Sequence, residues 1–155
     1  MSTMHVFVYG TLKRGQPNHH WMTSERPEHG RASLVGVART VRPFPLVVAG
    51  PWNIPYCVDR PGEGHNITGE VYRIDAEKLR HLDVLETYPT HYNRRLEEVT
   101  LLDAPDATPL SAWVYLWEKY TEDHLQLPFL ENYANDAASE RRYVPKDQRT
   151  LQTTC

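Results

Sequence analysis

Short apolar runs recur along much of the chain, and each is interrupted by glycine, proline or polar residues. Runs of this length that are rich in β-branched and aromatic residues are typical of strands. The pattern predicts strands over residues 5–9, 31–49 (as two runs), 53–58, 67–74, 94–102 and 110–117.

One segment has a helical period instead. Apolar residues recur there at three-residue steps, at Ala76, Leu79, Leu82 and Leu85. Asp75 is a favoured N-cap, so the helix should begin directly after it. It should end near Glu86 or Thr87, because a residue that precedes a proline, here Pro89, disfavours the α conformation. Many short strands with one main helix predict an α+β domain, specifically a small mixed β-barrel.

Composition narrows the class of protein. The 155 residues are 40% hydrophobic and 24% charged, which predicts one globular domain over residues 1–147 and a disordered tail over 148–155. A net charge of −3 argues against a nucleic-acid partner, and no apolar run is long enough to span a membrane. Cys57 and Cys155 do not make a disulfide framework, and no leader pattern is visible. We therefore expect a cytosolic protein, and a monomer.

A polar loop follows the first predicted strand and is bounded by Gly10 and Gly15. Glycines that flank a polar tip let backbone N–H groups converge on one concavity, because no Cβ blocks the approach. Such a concavity can hold an anion or a carbonyl oxygen. The simpler interpretation is an ordinary exit from a strand, since glycine often ends strands.

Glu86 is the strongest candidate for chemistry. Seven residues make nearly two helical turns, so Glu86 lies within about 20° of Leu79 on the apolar face. It also lies at the helix C-terminus, where the helix dipole disfavours negative charge. Both effects should raise its pKa and make it a better general base. For Asp83 we expect solvation on the helix surface, and for Glu70 an outward position or an ion pair with an arginine.

The remaining polar residues suggest no metal or phosphate site. The histidines lack the spacing of zinc ligands, although His19 could support the glycine-bounded loop. Lys13 and Arg14 lack the Walker spacing, so they are expected to be solvated or structural. Arg94 and Arg95, together with Tyr92, either line a pocket mouth or cover the start of a strand.

Several blocks of the sequence resemble the γ-glutamylamine cyclotransferases, within the wider γ-glutamyl cyclotransferase-like superfamily. The run YGTLKRGQPNH at residues 9–19 is the most specific of them. The others keep the family's order and extend the resemblance from Met4 to about Val114: RPFPLVVAG, NIPY, GEVYRID, LDVLE and YNRR, with a weaker match, RRYVP, at 141–145. The resemblance implies a cyclotransferase-type barrel with flanking helices.

The resemblance also implies a reaction. The α-amine of an L-γ-glutamyl group attacks its own γ-carbonyl, which yields 5-oxoproline and a free amine such as lysine from γ-glutamyl-ε-lysine. No metal ion and no organic cofactor is expected, because the nucleophile belongs to the small-molecule substrate. The alternatives are a cyclotransferase that acts on glutathione or γ-glutamyl amino acids, and a non-catalytic module that binds a small ligand.

The family's functional residues map onto two blocks. Glu86 closes LDVLE and matches the catalytic acid/base, and the substrate-binding turn matches Tyr9, Gly10, Thr11 and Leu12. Discrimination between leaving groups requires a separate wall, for which the aromatic candidates are Tyr56, Tyr88 and Tyr92.

Overall fold

Five strands close into a barrel in the computed structural model, which describes residues 4–135 and 142–149. The strands are β1 (Met4–Val8), β2 (Ala32–Thr40), β3 (Leu46–Ala49), β4 (Ile54–Cys57), β5 (Thr68–Ile74), β6 (Asn93–Leu101) and β7 (Leu110–Leu116). The helices are α1 (His20–Thr23) and α2 (Ala76–Leu85), with 3₁₀ helices at Pro27–His29, Glu122–Gln126 and Lys146–Gln148.

The barrel order is β1-β5-β2-β6-β7. The neighbours pair in antiparallel fashion except where β1 meets β7, a parallel contact at Val6 and Trp113 that closes the sheet. The sheet is therefore mixed, and closure removes the edges that an open sheet would expose. The α+β fold with a small mixed barrel is confirmed.

Strands β3 and β4 form a separate two-stranded sheet. An isolated parallel bridge between Val58 and Trp117 ties the end of this hairpin to the segment after β7. A hairpin of this size is marginal alone, so its stability depends on packing against the barrel. Cys57 is 1% exposed within this packing, so it acts as a small buried apolar side chain.

Alternation along β1 supplies two apolar clusters. Val6 and Val8 belong to one cluster, whereas Phe7 belongs to the other. This is the period of two that a strand imposes on its side chains. The segment after β7 also contributes, because Tyr133 is buried and Phe129 packs against the core. This segment therefore packs on the barrel through its aromatic side chains.

Helix α2 begins and ends where the sequence indicated. At its start, the Asp75 carboxylate accepts a hydrogen bond of 2.8 Å from the Lys78 N–H. At its end, the Tyr88 N–H donates to the Asp83 carbonyl and the Thr87 N–H donates to the Val84 carbonyl. This pair of bonds is a Schellman motif, which most often uses a glycine with positive φ. Thr87 occupies that position with a φ of 52°, so the helix end holds its neighbour Glu86 at a defined position.

The last described residues also pack on the domain. The Arg149 guanidinium lies 4.7 Å from the centroid of the Trp52 ring. Residues 150–155, which include Cys155 and most of the predicted tail, lie outside the described residues. The boundary at residue 147, the single domain and the monomeric state remain predictions. Among the described helices, none combines the length and apolarity that crossing a bilayer requires.

Candidate active site

A cavity of about 640 Å³ opens beside the end of β1. Its volume lies in the range of sites that bind small molecules. Six parts of the chain build its wall: the end of β1 with the following turn, helix α1, strand β4, the end of α2 with the loop after it, strand β7, and the segment 142–149. Residues that sequence analysis assigned to chemistry and binding therefore meet at one place, since Glu86, Tyr9, Gly10, Thr11 and Leu12 all line it.

The turn after β1 is held by its own hydrogen bonds. The Lys13 N–H donates to the Gly10 carbonyl at 3.1 Å, and the Asn18 N–H donates to the Thr11 carbonyl at 2.8 Å. The Asn18 amide also donates to Thr11 Oγ1 at 3.0 Å, which leaves the Thr11 hydroxyl hydrogen free to donate. The backbone N–H groups of Thr11 and Leu12 donate to no other described residue. Because both residues line the cavity, these N–H groups are candidates for binding a ligand there.

The two glycines of this loop serve different purposes. A Cβ on Gly10 would lie 2.9 Å from Pro55 Cγ, so Gly10 is required by close approach to the β3–β4 hairpin. Gly15 has open space around it but a φ of 78°, a conformation that glycine adopts without steric cost. From the sequence we expected both glycines to open the loop to a ligand. In the structure Gly10 lines the cavity, whereas Gly15 does not.

Buried polar contacts fasten the loop to the barrel. Lys13 is buried, and its ammonium donates to the Asn132 side chain and to the Tyr133 carbonyl. Arg14 forms an ion pair of 2.8 Å with Glu70. The prediction that Lys13 and Arg14 have a structural role in the loop is therefore confirmed, and the alternative of a solvated Lys13 is wrong. The predicted ion pair between Glu70 and an arginine is also confirmed.

His19 supports the same turn from the other side. Its Nδ1 atom lies 2.9 Å from the Leu12 carbonyl oxygen, as the sequence indicated. In the described part of the chain, no group of three or more His, Cys, Asp or Glu residues is arranged to hold a metal ion.

Glu86 is half-buried in the cavity wall, and its accessible side faces the cavity. Burial raises the pKa of its carboxyl to about 7, although the Lys146 charge opposes part of this shift. No hydrogen bond from a described residue contributes to that pKa. The carboxylate can therefore exchange a proton with a ligand near neutral pH, as its place on the apolar face indicated.

Three tyrosines surround Glu86 in the cavity wall: Tyr9, Tyr92 and Tyr115. Burial raises the pKa of each phenol, so all three stay protonated. The Tyr9 hydroxyl donates to the Tyr115 carbonyl at 2.8 Å, which assigns that hydroxyl to the fold. Glu86 is the one carboxylate among the described lining residues, and its raised pKa lets it accept and return a proton near neutral pH.

Asp83 is not solvated, which corrects the expectation from sequence. Its two oxygens accept hydrogen bonds of 2.8 and 3.0 Å from Arg94, and one of them also accepts a 2.6 Å bond from the Tyr115 hydroxyl. The Arg94 guanidinium lies 4.4 Å from the ring centroids of both Tyr88 and Trp113. Asp83 thus orients a tyrosine of the cavity wall and does not act as a second carboxylate beside Glu86.

Of the residues proposed for the pocket mouth, the structure places Tyr92 in the wall and the two arginines elsewhere. Arg94 is engaged by Asp83, and Arg95 pairs with Asp59 and Glu97 at 2.8 and 2.9 Å. The reason is that alternate residues of a strand point to opposite faces and each arginine meets a carboxylate there.

The predicted aromatic wall is correct only in part. Tyr56 stacks on Trp117 with ring centroids 4.0 Å apart and lies behind Tyr92. Tyr88 packs on Arg94. Neither of them is among the described residues that line the cavity.

Sequence reasoning missed the contribution of the segment 142–149. Tyr143, Pro145, Lys146 and Arg149 all line the cavity. The Tyr143 hydroxyl accepts a 3.0 Å hydrogen bond from Asn18, which ties this segment to the turn after β1. The block RRYVP was the available signal, because it ends in this segment, but nothing local indicated what it packs against.

A closed mixed barrel with a carboxylate and a glycine turn in one cavity matches the cyclotransferase class. The family model described as "Gamma-glutamyl cyclotransferase, AIG2-like" matches residues 6–135, and the chain belongs to this family. The chain is 42% identical over 149 residues to the gamma-glutamylaminecyclotransferase of Mus musculus, covering 94% of this chain and 99% of that protein. It is 40% identical over 152 residues to the Homo sapiens gamma-glutamylaminecyclotransferase, covering 93% and 98%.

A comparison with solved structures agrees with this family assignment. The crystal structure of an AIG2-like protein from Mus musculus superposes with a TM-score of 0.88 at 41% identity, covering 96% of this chain and 100% of that one. The resemblance noted in the sequence blocks is therefore confirmed over nearly the whole chain, and the protein is a cyclotransferase enzyme.

Proposed function

We propose that the protein is a γ-glutamylamine cyclotransferase, which converts an L-γ-glutamylamine into 5-oxoproline and the free amine. The observation that carries the proposal is the juxtaposition of Glu86, with a pKa of about 7, and the Tyr9–Leu12 turn in one cavity. The names of the mouse and human relatives support this substrate class.

In the proposed reaction, the Glu86 carboxylate accepts a proton from the α-ammonium of the substrate. The freed amine then attacks the γ-carbonyl carbon, so a C–N bond forms and closes a five-membered ring. The carbonyl oxygen gains negative charge, which the N–H groups of Thr11 and Leu12 stabilise. Protonated Glu86 returns its proton to the leaving nitrogen, and the original amide C–N bond breaks as the carbonyl re-forms. The ring nitrogen then loses its second proton through Glu86, so the amine departs as an ammonium ion.

Two features of the cavity suit these steps. A group that first accepts and then donates a proton works best when its pKa lies near the operating pH, which is the value of Glu86. Because both reacting groups belong to one substrate, the cavity lowers the barrier mainly by holding the amine against the carbonyl.

The direct test is the release of 5-oxoproline from γ-glutamyl-ε-lysine and from glutathione at equal concentration. We expect release from the first and little from the second. The lysine side chain presents an unbranched methylene stem to the apolar wall of Pro55, Tyr92 and Pro145, whereas glutathione would place a charged, branched group there. Faster release from glutathione would assign the protein to the alternative substrate class.

The pH profile supplies a second test. Because Glu86 must be ionised to accept the first proton, kcat/KM should rise with pH and level off above about 7, the pKa of that carboxyl. The measurement is kcat/KM for γ-glutamyl-ε-lysine between pH 5 and pH 8. A profile that is already nearly level from pH 5 upward, as the ordinary glutamate pKa of 4.5 predicts, would contradict a desolvated base.

The cytosolic setting is also part of the proposal. Cys57 is a free, buried thiol in the described chain, which is consistent with a reducing compartment.

A further inference from the structure

Two cations from the segment 142–149 line the cavity that holds Glu86. They are Lys146 and Arg149, and Glu86 is the one carboxylate among the described residues that line the same space. The cavity wall therefore carries more positive than negative charge at neutral pH. The proposed proton transfers do not need this excess, since a nearby cation lowers the pKa of Glu86 and repels the α-ammonium of the substrate.

Arg149 is held in place by contacts with three described residues, Trp52, Tyr143 and Val144. Its Nε atom donates to the Val144 carbonyl at 3.0 Å, and its guanidinium lies over the rings of Trp52 and Tyr143 at 4.7 and 5.6 Å. One Nη2 contact of 3.3 Å reaches the Tyr143 hydroxyl. A guanidinium has five N–H donors, so donors remain for a ligand.

Lys146 has fewer bonding partners than Arg149. It is exposed at the cavity rim, and its ammonium makes no ion pair or hydrogen bond with a described residue. Its charge nevertheless lowers the pKa of both Glu86 and His91, two other lining residues, so its field reaches into the cavity.

The segment that carries these cations is anchored to two separate loops. The Val144 N–H donates to the Trp52 carbonyl at 2.9 Å, and the Tyr143 hydroxyl accepts from Asn18 at 3.0 Å. The hydrogen bond from Asn53 to the Arg142 carbonyl, at 2.7 Å, adds a third attachment. This anchoring keeps both cations beside the cavity and indicates a ligand of negative charge.

We propose that Lys146 and Arg149 form a subsite for a carboxylate carried by the leaving amine. The inference rests on the proposed function. Tyr9 and Leu12 of the turn are only 7% and 9% exposed, whereas Lys146 lies at the exposed rim. A γ-glutamyl group bound at the turn would direct its amine toward the rim. The lysine of γ-glutamyl-ε-lysine bears a carboxylate at the far end of its stem, so that group would meet the two cations.

Two substrates with the same stem separate this subsite from the rest of the reaction. They are γ-glutamyl-ε-lysine and γ-glutamylcadaverine, which lacks only the carboxylate of the leaving amine. The readout is kcat/KM for γ-glutamyl-ε-lysine divided by kcat/KM for γ-glutamylcadaverine, with both measured by 5-oxoproline release. Any change in the pKa of Glu86 affects both substrates and cancels in this ratio.

Lys146→Gln should lower the ratio about tenfold, mainly through KM for the lysine substrate, because a charge-assisted hydrogen bond is lost. Lys146→Arg, which keeps the charge, should restore most of it. Lys119→Gln is the matched control, since Lys119 is exposed and also lowers the pKa of His91 but does not line the cavity. Its ratio should stay within about twofold of the wild type, because screened surface charges contribute little.

Contrary outcomes are distinct from one another. An equal loss on both substrates would assign the cations to the shared γ-glutamyl carboxylate and overturn the subsite. A Lys146→Gln variant that keeps the wild-type kcat/KM with both substrates would also overturn it. If the wild type releases 5-oxoproline from neither substrate, the proposed function itself fails, and the subsite fails with it.

Discussion

Glu86→Gln is expected to lower turnover by roughly a hundredfold or more, the usual effect of removing a general acid–base group. Glutamine has nearly the size and polarity of the carboxyl group, but it cannot accept the α-ammonium proton. The variant should still fold and still bind 5-oxoproline, because the Tyr9–Leu12 turn is unchanged. The measurements are kcat with γ-glutamyl-ε-lysine and the affinity for 5-oxoproline.

The same variant should be more stable than the wild type at pH 8. Below about pH 4.5 the Glu86 carboxyl is protonated in both the folded and the unfolded chain. As the pH rises toward 7, the unfolded chain releases this proton first, so the wild type loses stability across that window. We expect Glu86→Gln to gain about 1–3 kcal/mol of unfolding free energy relative to the wild type between pH 4 and pH 8. For the activity prediction, near-normal turnover of Glu86→Gln would show that Glu86 is not the acid–base group.

Gly10→Val is expected to weaken the binding of 5-oxoproline by more than tenfold, a larger change than the accompanying loss of stability would explain. A Cβ at this position would lie 2.9 Å from Pro55 Cγ, and the rigid proline ring cannot rotate away. The turn and the β3–β4 hairpin must separate, and both line the cavity. Calorimetric titration with 5-oxoproline and the melting temperature are the two measurements.

Two further variants keep this test decisive. Gly10→Ala introduces the Cβ alone, so it should fold and still bind more weakly than the wild type. Gly36→Ala is the matched control, because its Cβ would lie 3.5 Å from Leu101 Cδ2, an ordinary contact in strand β2. A folded Gly10 variant with unchanged affinity for 5-oxoproline would show that the pocket assignment is wrong.

The contrast between Glu86 and Asp83 shows how far local pattern extends. Glu86 could be singled out from sequence because both signals, the shared face with Leu79 and the helix end, lie within one helix. Asp83 could not be interpreted in this way. Its partners Arg94 and Tyr115 belong to β6 and β7, and their positions depend on how those strands join the barrel.

The wall for the leaving group shows the same limit. Tyr56 and Tyr88 are aromatic and close in sequence to residues of the cavity, yet they pack on Trp117 and Arg94. Tyr143 and Lys146 lie far along the chain from the turn and still reach the cavity. A single sequence carries no signal for such long-range contacts, because each depends on the closed barrel and on loops that pack against it.

The sequence by itself determined the strands, the bounds of α2, the barrel class and the identity of the two blocks that meet at the site. The strands, the bounds of α2 and the barrel class depend on period, capping and turn chemistry, which act over a few neighbouring residues, whereas the two blocks were identified by their resemblance to the family. The tertiary structure alone decided that Gly10 faces Pro55, that Asp83 orients Tyr115, and that Lys146 stands at the cavity rim. Each of these contacts joins residues that are distant in the chain. They therefore form only when the barrel and its loops have packed together.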